Sequence, residues 1–504
     1  MTRSALPNDI EELKTLVLQE HRRAELLDLK LKNIEARVLG RHASEKLHHE
    51  QAAGQQVFEF FDLPHPSQEA PPAEPVRPGQ EQPKGKGGRN KLPDHLQRVR
   101  REHTLAEEDR KCGECGEVMQ PFGEEVSEQL ARIPARTYVI QHARIKYACK
   151  ACQSKPAIAE VPHKVIDKGL ADAGLLAEIA VQKFADHLPL YRQEQIFARD
   201  GVKIPRSTQC AWMGVVAELL KPIVNWMNMD LLRSGKIHTD DTSIRVLDPG
   251  SHKTRTARLW VYVGDKLHPH VVFDYTTSRH RDGPAKFLEK YKGYLQADAY
   301  AGYDGIYASR EIIEVACWAH LRRKFIEARE SDARADELLL LVAEMYAVEK
   351  QARELDLSPQ LRKELRQLQT VQILTRIRSW FDACAIDTLP KSPLRKAIRY
   401  ALNQWRALTR FVEDGTLEPD NNAAENALRP VTLGRKNYLF VGSDSGGRRA
   451  AIIYSLIQSC KRHGVNPMDY LRDVLVRIST HPASLVHELA PANWKPPAII
   501  ASPP

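Results

Sequence analysis

The chain has 504 residues, of which 42% are hydrophobic and 28% charged, with a mean hydropathy of -0.46. A chain of this length exceeds one ordinary core, so we expect several domains. It contains no run of about eighteen apolar residues and begins without the apolar stretch of a signal peptide, which argues against a membrane protein and predicts a cytoplasmic one. The formal net charge of +9 favours a polyanionic partner, because phosphate contacts by Lys and Arg release counterions.

The N-terminal segment carries a heptad repeat. Between Ile10 and Val38 apolar residues recur at alternating spacings of three and four, and only Glu20 interrupts the seam. This pattern predicts a coiled-coil helix within residues 1–60 and self-association through it, because a helix packed on a domain usually shows a wider apolar stripe. A packed surface helix is the alternative interpretation.

Residues 61–100 have the composition of a linker that becomes basic. Pro64 to Gly88 is rich in Pro, Gln, Glu and Gly, so it cannot offset the entropy of ordering and is expected to be flexible. Between Lys84 and Arg101 seven basic residues stand against the single acid Asp94. Such a run is often only a solvated face, but it also provides candidate DNA contacts: Lys84, Lys86, Arg89 and Lys91.

Half of the eight cysteines form two CxxC pairs. The paired cysteines are Cys112, Cys115, Cys149 and Cys152. Two such turns close a tetrahedral four-thiolate site, which predicts structural zinc in a small domain at 101–160 with no open position for catalysis. Reduced thiols without a metal are the alternative. Strand-like stretches at 138–140 and 144–147 make this domain β-rich.

Residues 161–232 show three helical stretches. The first runs from Leu175 to Phe184 and the second from Leu190 to Asp200, where Gly201 ends it. The third is expected to begin at Ser207-Thr208, an N-cap pair. The last two helices are consistent with a helix-turn-helix that would place Arg206 and Gln209 in a DNA major groove, or with an ordinary helical lead-in to the next domain.

The pattern changes to short strands in residues 233–480. Three strands, a helix, a strand, a helix and a further strand follow in the order of an RNase H-like fold. Two strands present Asp240 and Asp298, and a later helix, expected to be capped by Asp420, carries Glu425. Such hard oxygen ligands suit Mg²⁺ or Mn²⁺ better than zinc.

Two further features belong to this region. Residues of about 330–414 are expected to form an all-helical insertion, with helix starts at Ser358-Pro359 and Ser392-Pro393, that is either structural or clamps DNA. Directly after the last strand, His320, Arg322 and Arg323 are candidate phosphate contacts; a packed histidine with solvated arginines is equally consistent. Residues 481–504 are left as a C-terminal tail.

At this point the sequence resembles a known family, the bacterial transposases of the group called insertion sequence 66. The resemblance covers nearly the whole chain, and the motifs that carry it are Leu39-Gly40-Arg41, residues 123–130, Ile133-Pro134-Ala135-Arg136, residues 187–193, Leu295-Gln296-Ala297-Asp298 and residues 434–440. One departure is visible, because Asp240-Asp241-Thr242 stands where the family commonly has Asp-Glu-Thr.

The resemblance implies a DDE-type transposase with Asp240, Asp298 and Glu425 as its acidic triad and the four cysteines as a zinc-binding domain. It also implies accessory proteins encoded by the same element. We therefore expect a multidomain α+β protein that cuts transposon ends and joins them to target DNA by a two-metal mechanism. The alternatives are an RNase H-like nuclease or resolvase and a transposase-derived regulator without catalysis.

Overall fold

The computed structural model describes residues 137–142, 146–147, 157–158, 164–167, 169–248, 250, 253–298, 300–308 and 311–496. The predictions for the N-terminal heptads, for the basic linker and for the four paired cysteines lie outside these residues. Among the helices that it describes, none combines the length and the apolar character needed to cross a bilayer.

The described residues form seven strands and fourteen α-helices, with short 3₁₀ and π-helical segments between some of them. The strands are β1 Lys146–Tyr147, β2 Ala157–Ile158, β3 Lys236–Asp248, β4 Lys253–Val263, β5 Val271–Thr276, β6 Gly293–Ala297 and β7 Ile312–Ala316. The helices are α1 Ala173–Phe184, α2 Leu190–Arg199, α3 Arg206–Leu231, α4 Asp282–Phe287, α5 Asp304–Tyr307, α6 Trp318–Arg329, α7 Ala335–Glu354, α8 Pro359–Leu365, α9 Val371–Ile386, α10 Pro393–Asn403, α11 Trp405–Thr409, α12 Asn422–Asn437, α13 Asp444–Arg462 and α14 Pro467–Arg477.

A mixed five-stranded sheet lies at the centre of the α+β fold, with strand order β5-β4-β3-β6-β7. β3 pairs antiparallel with β4 and parallel with β6, and β7 continues the parallel side. All five strands were predicted from the sequence, although β3 runs on to Asp248. Residues 259–263 of β4 are buried without interruption, as in a strand covered on both faces.

Helices α1 to α3 share one hydrophobic core with the sheet. Trp212, Val216 and Leu220 of α3 are all buried in this cluster, together with residues of β3, β4 and α13. The lead-in interpretation of these helices therefore fits better than a separate DNA-reading module. The predicted N-cap at Ser207-Thr208 is wrong, because α3 begins at Arg206 after Pro205, whose φ of -58° already suits a helix start.

The residue predicted to read bases from this helix is not available to do so. Gln209 is fully buried, and its Nε2 donates to the backbone oxygen of Ile204 at 2.9 Å. A side chain committed to a turn in the interior cannot reach a base edge, so the interpretation of Gln209 as a DNA contact is wrong. Arg206, at the start of the same helix, is exposed.

Helices α7 to α11 form the predicted all-helical insertion. They pack around a second hydrophobic cluster that includes residues of α6 and the end of β7. Both Ser-Pro helix starts are confirmed: the Ser358 side chain accepts from Leu361 N, and the Ser392 side chain accepts from Arg395 N.

A buried ionic network connects this insertion to the segment before α12. Arg366, in a π-helical turn between α8 and α9, is fully buried and donates to both carboxylate oxygens of Glu349. Its remaining donors reach the backbone oxygens of Phe411, Asp414 and Leu417. Glu349 also accepts from Arg362, at 2.6 and 3.0 Å. Every charge in the network therefore has a partner, as a buried ion pair requires.

The C-terminal helices cover the outer edge of the sheet. The edge strand β5 donates its Val271 and Phe273 amides to the hydroxyls of Ser459 and Ser455 on α13, at 3.0 and 2.8 Å. Further on, the Tyr470 hydroxyl donates to the backbone oxygen of Leu489, which is fully buried. Leu489 and Ala490 are therefore part of the core, although they lie within the segment that was expected to be a C-terminal tail.

Candidate active site

The three predicted carboxylates lie on the sheet and on one helix packed against it, where Asp240 interacts electrostatically with the other two, although their oxygens do not all come within 4.8 Å of one another. β3 and β6 are parallel neighbours in which His238 pairs with Gln296. Asp240 lies on β3 two residues after this pair, and Asp298 lies two residues after it, directly beyond the end of β6. Glu425 lies in the first turn of α12, which packs on β3 and β4.

The carboxylates interact electrostatically. Burial raises the pKa of Asp240 well above its ordinary value, and the negative charges of Asp298 and Glu425 raise it further. Burial likewise raises the pKa of Glu425 to about 7, where Asp298 adds to the effect and Arg323 opposes it. The pKa of Asp298 is raised by burial too, although Arg279 counteracts this. Each carboxylate is therefore harder to ionise than a free one, and ionising all three requires a compensating positive charge.

Ion pairs distinguish the two adjacent aspartates on β3. The Asp241 side chain is 2% exposed and accepts from Arg258 at 2.9 Å and from Arg279 at 2.9 and 3.0 Å. Among the described residues, the Asp240 carboxylate accepts a hydrogen bond only from the Asp241 backbone amide, at 2.7 Å. The Asp241 carboxylate is already paired with two guanidinium groups, so Asp240 is the candidate metal ligand of the two.

Asn421 connects the elements that carry the carboxylates, and the sequence interpretation missed it. This buried residue donates from Nδ2 to the backbone oxygen of Thr239 at 2.8 Å, next to Asp240, and its Oδ1 lies 3.2 Å from His238 Nδ1. Its backbone amide donates to Cys317 Sγ at 3.2 Å. The only sign of Asn421 in the sequence is the run Asp420-Asn421-Asn422 before the helix of Glu425, and such a run predicts a helix cap and no further contact.

The start of that helix differs slightly from the prediction. α12 begins at Asn422 with Asn421 as the N-cap residue, one position later than expected. Asp420 still contributes, because its carboxylate accepts from the Asn422 amide at 3.1 Å. The Gln296 side chain donates to the backbone oxygens of Glu418 and Asp420, at 2.6 and 2.7 Å, which fixes this segment on β6.

The basic residues after β7 fall into two groups. His320 and Arg323 approach the acidic cluster: His320 Nδ1 lies 3.8 Å from Glu425 Oε1, and Arg323 acts on the Glu425 charge. Burial lowers the pKa of His320 to about 4, so its imidazole is neutral and this contact is not an ion pair. Arg322 is half-buried in the same helix.

The donor set fits a divalent cation of the magnesium class. Carboxylate oxygens are the ligands that such hard cations prefer. Glu425 is 7% exposed, yet its Oε1 is buried without a hydrogen-bond partner among the residues that the structure describes, which is costly unless something occupies the site. A bound cation would coordinate Glu425 Oε1 and compensate the negative charge of the ionised carboxylates.

Comparison with known proteins finds matches along most of the chain. Residues 168–449 match the model of the transposase IS66 family, residues 109–153 that of the zinc-finger binding domain of transposase IS66, and residues 455–492 that of the IS66 C-terminal element. The uncharacterized protein y4qI of Sinorhizobium fredii (strain NBRC 101917 / NGR234) is 37% identical over 421 residues, which are 80% of this chain and 77% of that protein. The uncharacterized protein y4jD of the same strain is 34% identical over 420 residues, 80% of this chain and 81% of that protein.

Proposed function

Since the chain belongs to the IS66 family of transposases, we propose that it cuts the ends of a DNA element and joins them to target DNA, with Asp240, Asp298 and Glu425 as its metal-binding catalytic residues. The observation that carries this proposal is the electrostatic coupling of one buried and two partly buried carboxylates, Glu425 of α12, Asp240 of β3 and Asp298 after β6. An unpartnered oxygen on Glu425 supports a cation at this position.

The core that holds them is proposed to be RNase H-like. The order β5-β4-β3-β6-β7, with three antiparallel strands followed by two parallel ones, supports this assignment. The helical insertion between β7 and α12 and the lead-in helices before β3 are then additions to one catalytic unit, because both pack against elements of the sheet.

The remaining modules are proposed to serve DNA binding and assembly. A zinc-finger domain of this family spans residues 109–153, and we assign one structural zinc to its four cysteines, Cys112, Cys115, Cys149 and Cys152. Lys84, Lys86, Arg89 and Lys91 precede it as phosphate contacts, and the N-terminal heptads mediate homo-oligomerisation. Accessory proteins of the same element and action at the nucleoid belong to the same proposal.

In the proposed mechanism the carboxylates bind, and the neighbouring residues orient. Bound Mg²⁺ or Mn²⁺ would activate the attacking oxygen and stabilise the leaving oxygen of the phosphodiester. Asp240, Asp298 and Glu425 would hold these cations once all three are ionised. Arg279, 3.7 Å from Asp298 and 3.9 Å from the centre of the Tyr300 ring, restrains the Asp298 carboxylate. Arg322 and Arg323 would contact DNA phosphates beside the site.

Asparagine in place of Asp298 tests the assignment. Asp298→Asn keeps the shape but removes a charged ligand, so Mg²⁺-dependent cleavage should be lost while DNA binding persists. The substrate is a plasmid carrying the gene with its flanking genomic DNA on both sides, and binding is titrated with salt in parallel. Asp282→Asn, an exposed carboxylate at the start of α4, is the matched control.

The products separate the alternatives. A transposase yields cut ends and joined products, whereas an RNase H-like nuclease or resolvase yields cuts without joining. A regulator derived from a transposase binds the DNA and cuts nothing. Cleavage by Asp298→Asn at the rate of the control would show that the wrong carboxylate has been named.

A further inference from the structure

A second group of potential ligands lies beside the acidic cluster. Cys317 is the single residue between β7 and α6, and His320 lies one turn later in α6. Glu425 lies in the first turn of α12. One ligand atom of each side chain lies within 4.8 Å of the other two. A sulfur, an imidazole nitrogen and a carboxylate oxygen thus converge from two neighbouring helix starts.

Two of these ligand atoms lack the partners that buried polar atoms normally have. Within the described part of the chain, His320 Nδ1 and Glu425 Oε1 are both buried without a hydrogen bond, and they lie 3.8 Å apart. Both atoms are therefore available to a third group placed between them, which is a cost to the fold if none is present.

The chemistry of the set differs from that of the three carboxylates. Mixed sulfur, nitrogen and oxygen ligands favour a borderline cation such as Zn²⁺, whereas Mg²⁺ accepts oxygen ligands almost alone. In tetrahedral zinc sites neighbouring ligand atoms are separated by roughly 3–4 Å. A small adjustment of the side chains therefore closes the observed group around one ion, with water as the fourth ligand.

We propose that Cys317, His320 and Glu425 form a second metal site, which binds thiophilic divalent cations of the Zn²⁺ class. Binding releases the thiol proton of Cys317 to solvent, and the Asn421 amide that donates to Sγ at 3.2 Å supports the resulting thiolate. The ion binds the one triad carboxylate that this site shares, so Zn²⁺ and the catalytic cation compete for Glu425. The competition rests on the proposed function; the binding does not.

Cobalt titration of the full chain tests the binding. Co²⁺ held by a thiolate gives a near-ultraviolet charge-transfer band, which Co²⁺ held by carboxylates alone does not give. The protein keeps one equivalent of Zn²⁺ in its zinc-finger domain, excess Zn²⁺ is removed so that the second site is empty, and Co²⁺ is then added. Any exchange into that domain contributes equally to every variant and cancels in the difference between them.

Cys317→Ala is compared with Cys460→Ala, which removes an equally buried free thiol from α13, outside the group. We expect the wild type and Cys460→Ala to share a band that saturates with one equivalent, and Cys317→Ala to lack it. His320→Ala, at a partly exposed position, should weaken Co²⁺ binding at least tenfold. Circular dichroism establishes that each variant is folded.

A band of equal intensity in folded Cys317→Ala and in the Cys460→Ala control would overturn the proposal. If Cys317→Ala does not fold, an unchanged Co²⁺ affinity of His320→Ala overturns it instead. The competition between Zn²⁺ and the catalytic cation for Glu425 is measured as the rate of DNA cleavage with micromolar Zn²⁺ divided by the rate without it, at constant Mg²⁺. A wild type that binds Co²⁺ as expected but cuts no DNA refutes the proposed function and leaves this site standing.

Discussion

Replacing Glu425 by glutamine should stabilise the metal-free protein at neutral and alkaline pH. The pKa of Glu425 is raised by burial from 4.5 to about 7, so the folded state holds this proton more tightly than the unfolded state does. The resulting stability is fully present below the unfolded pKa and is lost as the pH rises through the folded pKa. Above pH 7 the wild type therefore retains a buried charge that Glu425→Gln does not have.

The size of the effect follows from the difference in pKa. A shift from 4.5 to about 7 corresponds to about 3 kcal/mol in the free energy of unfolding at pH 8, at about 1.4 kcal/mol for each pKa unit. Most of this gain should develop between pH 5 and pH 7, the interval bounded by the two pKa values. Mg²⁺ reverses the order, because the ionised carboxylate gains a counter-ion and the amide does not.

Urea denaturation in EDTA at several pH values measures the difference, with tryptophan fluorescence as the signal. Glu289→Gln, which changes an exposed glutamate after α4, is the control and should match the wild type throughout. The reasoning is refuted if Glu425→Gln and the wild type unfold at the same urea concentration at pH 8 without metal. A gain of equal size at pH 5 would refute it as well, since it would have a cause other than ionisation.

Three further outcomes are expected. Glu349→Gln leaves the fully buried Arg366 without its counter-ion and should lower the free energy of unfolding by about 3 kcal/mol. The control Glu344→Gln, on the same helix as Glu349, breaks a pair with the exposed Arg376 and should lower it by at most about 1 kcal/mol. Equal losses in urea denaturation would contradict this prediction. Asn421→Ala should reduce DNA cleavage at least tenfold with little change in DNA binding, because α12 loses its bonds to β3; activity equal to that of the wild type would show that Asn421 does not position Glu425. Deletion of residues 1–60 should lower the oligomer mass in light scattering, and an unchanged mass would leave the heptads with another partner.

The sequence predicted the elements of the core because their signals are local. Short stretches rich in apolar residues predicted β3 to β7, and the Ser-Pro pairs predicted helix starts at Ser358 and Ser392, where the hydroxyl accepts an amide within three residues. Each of these features depends on a few neighbouring residues, so one chain is enough to recognise it.

The burial of a polar side chain and interactions between distant segments were not predictable in the same way. The sequence predicts Gln209 as a DNA contact, because no pattern in it indicates that the side-chain amide is buried and donates to the backbone oxygen of Ile204. Asn421 has a neighbourhood typical of a helix cap, but its role depends on contacts with Thr239 and Cys317, far away in the chain. The ion pairs of Asp241 with Arg258 and Arg279, which support the choice of Asp240, likewise depend on how the chain folds.

The serine hydroxyls on α13 have a consequence for the fate of incomplete chains. An edge strand with free amides is a template for pairing with another copy, and proteins usually block such edges. Here Ser455 and Ser459 occupy amides of β5, but both are synthesised after the whole sheet. A chain cut short before Ser455 therefore presents an open edge. We expect such fragments to aggregate and be degraded, so that truncated copies of the gene yield no competing soluble protein.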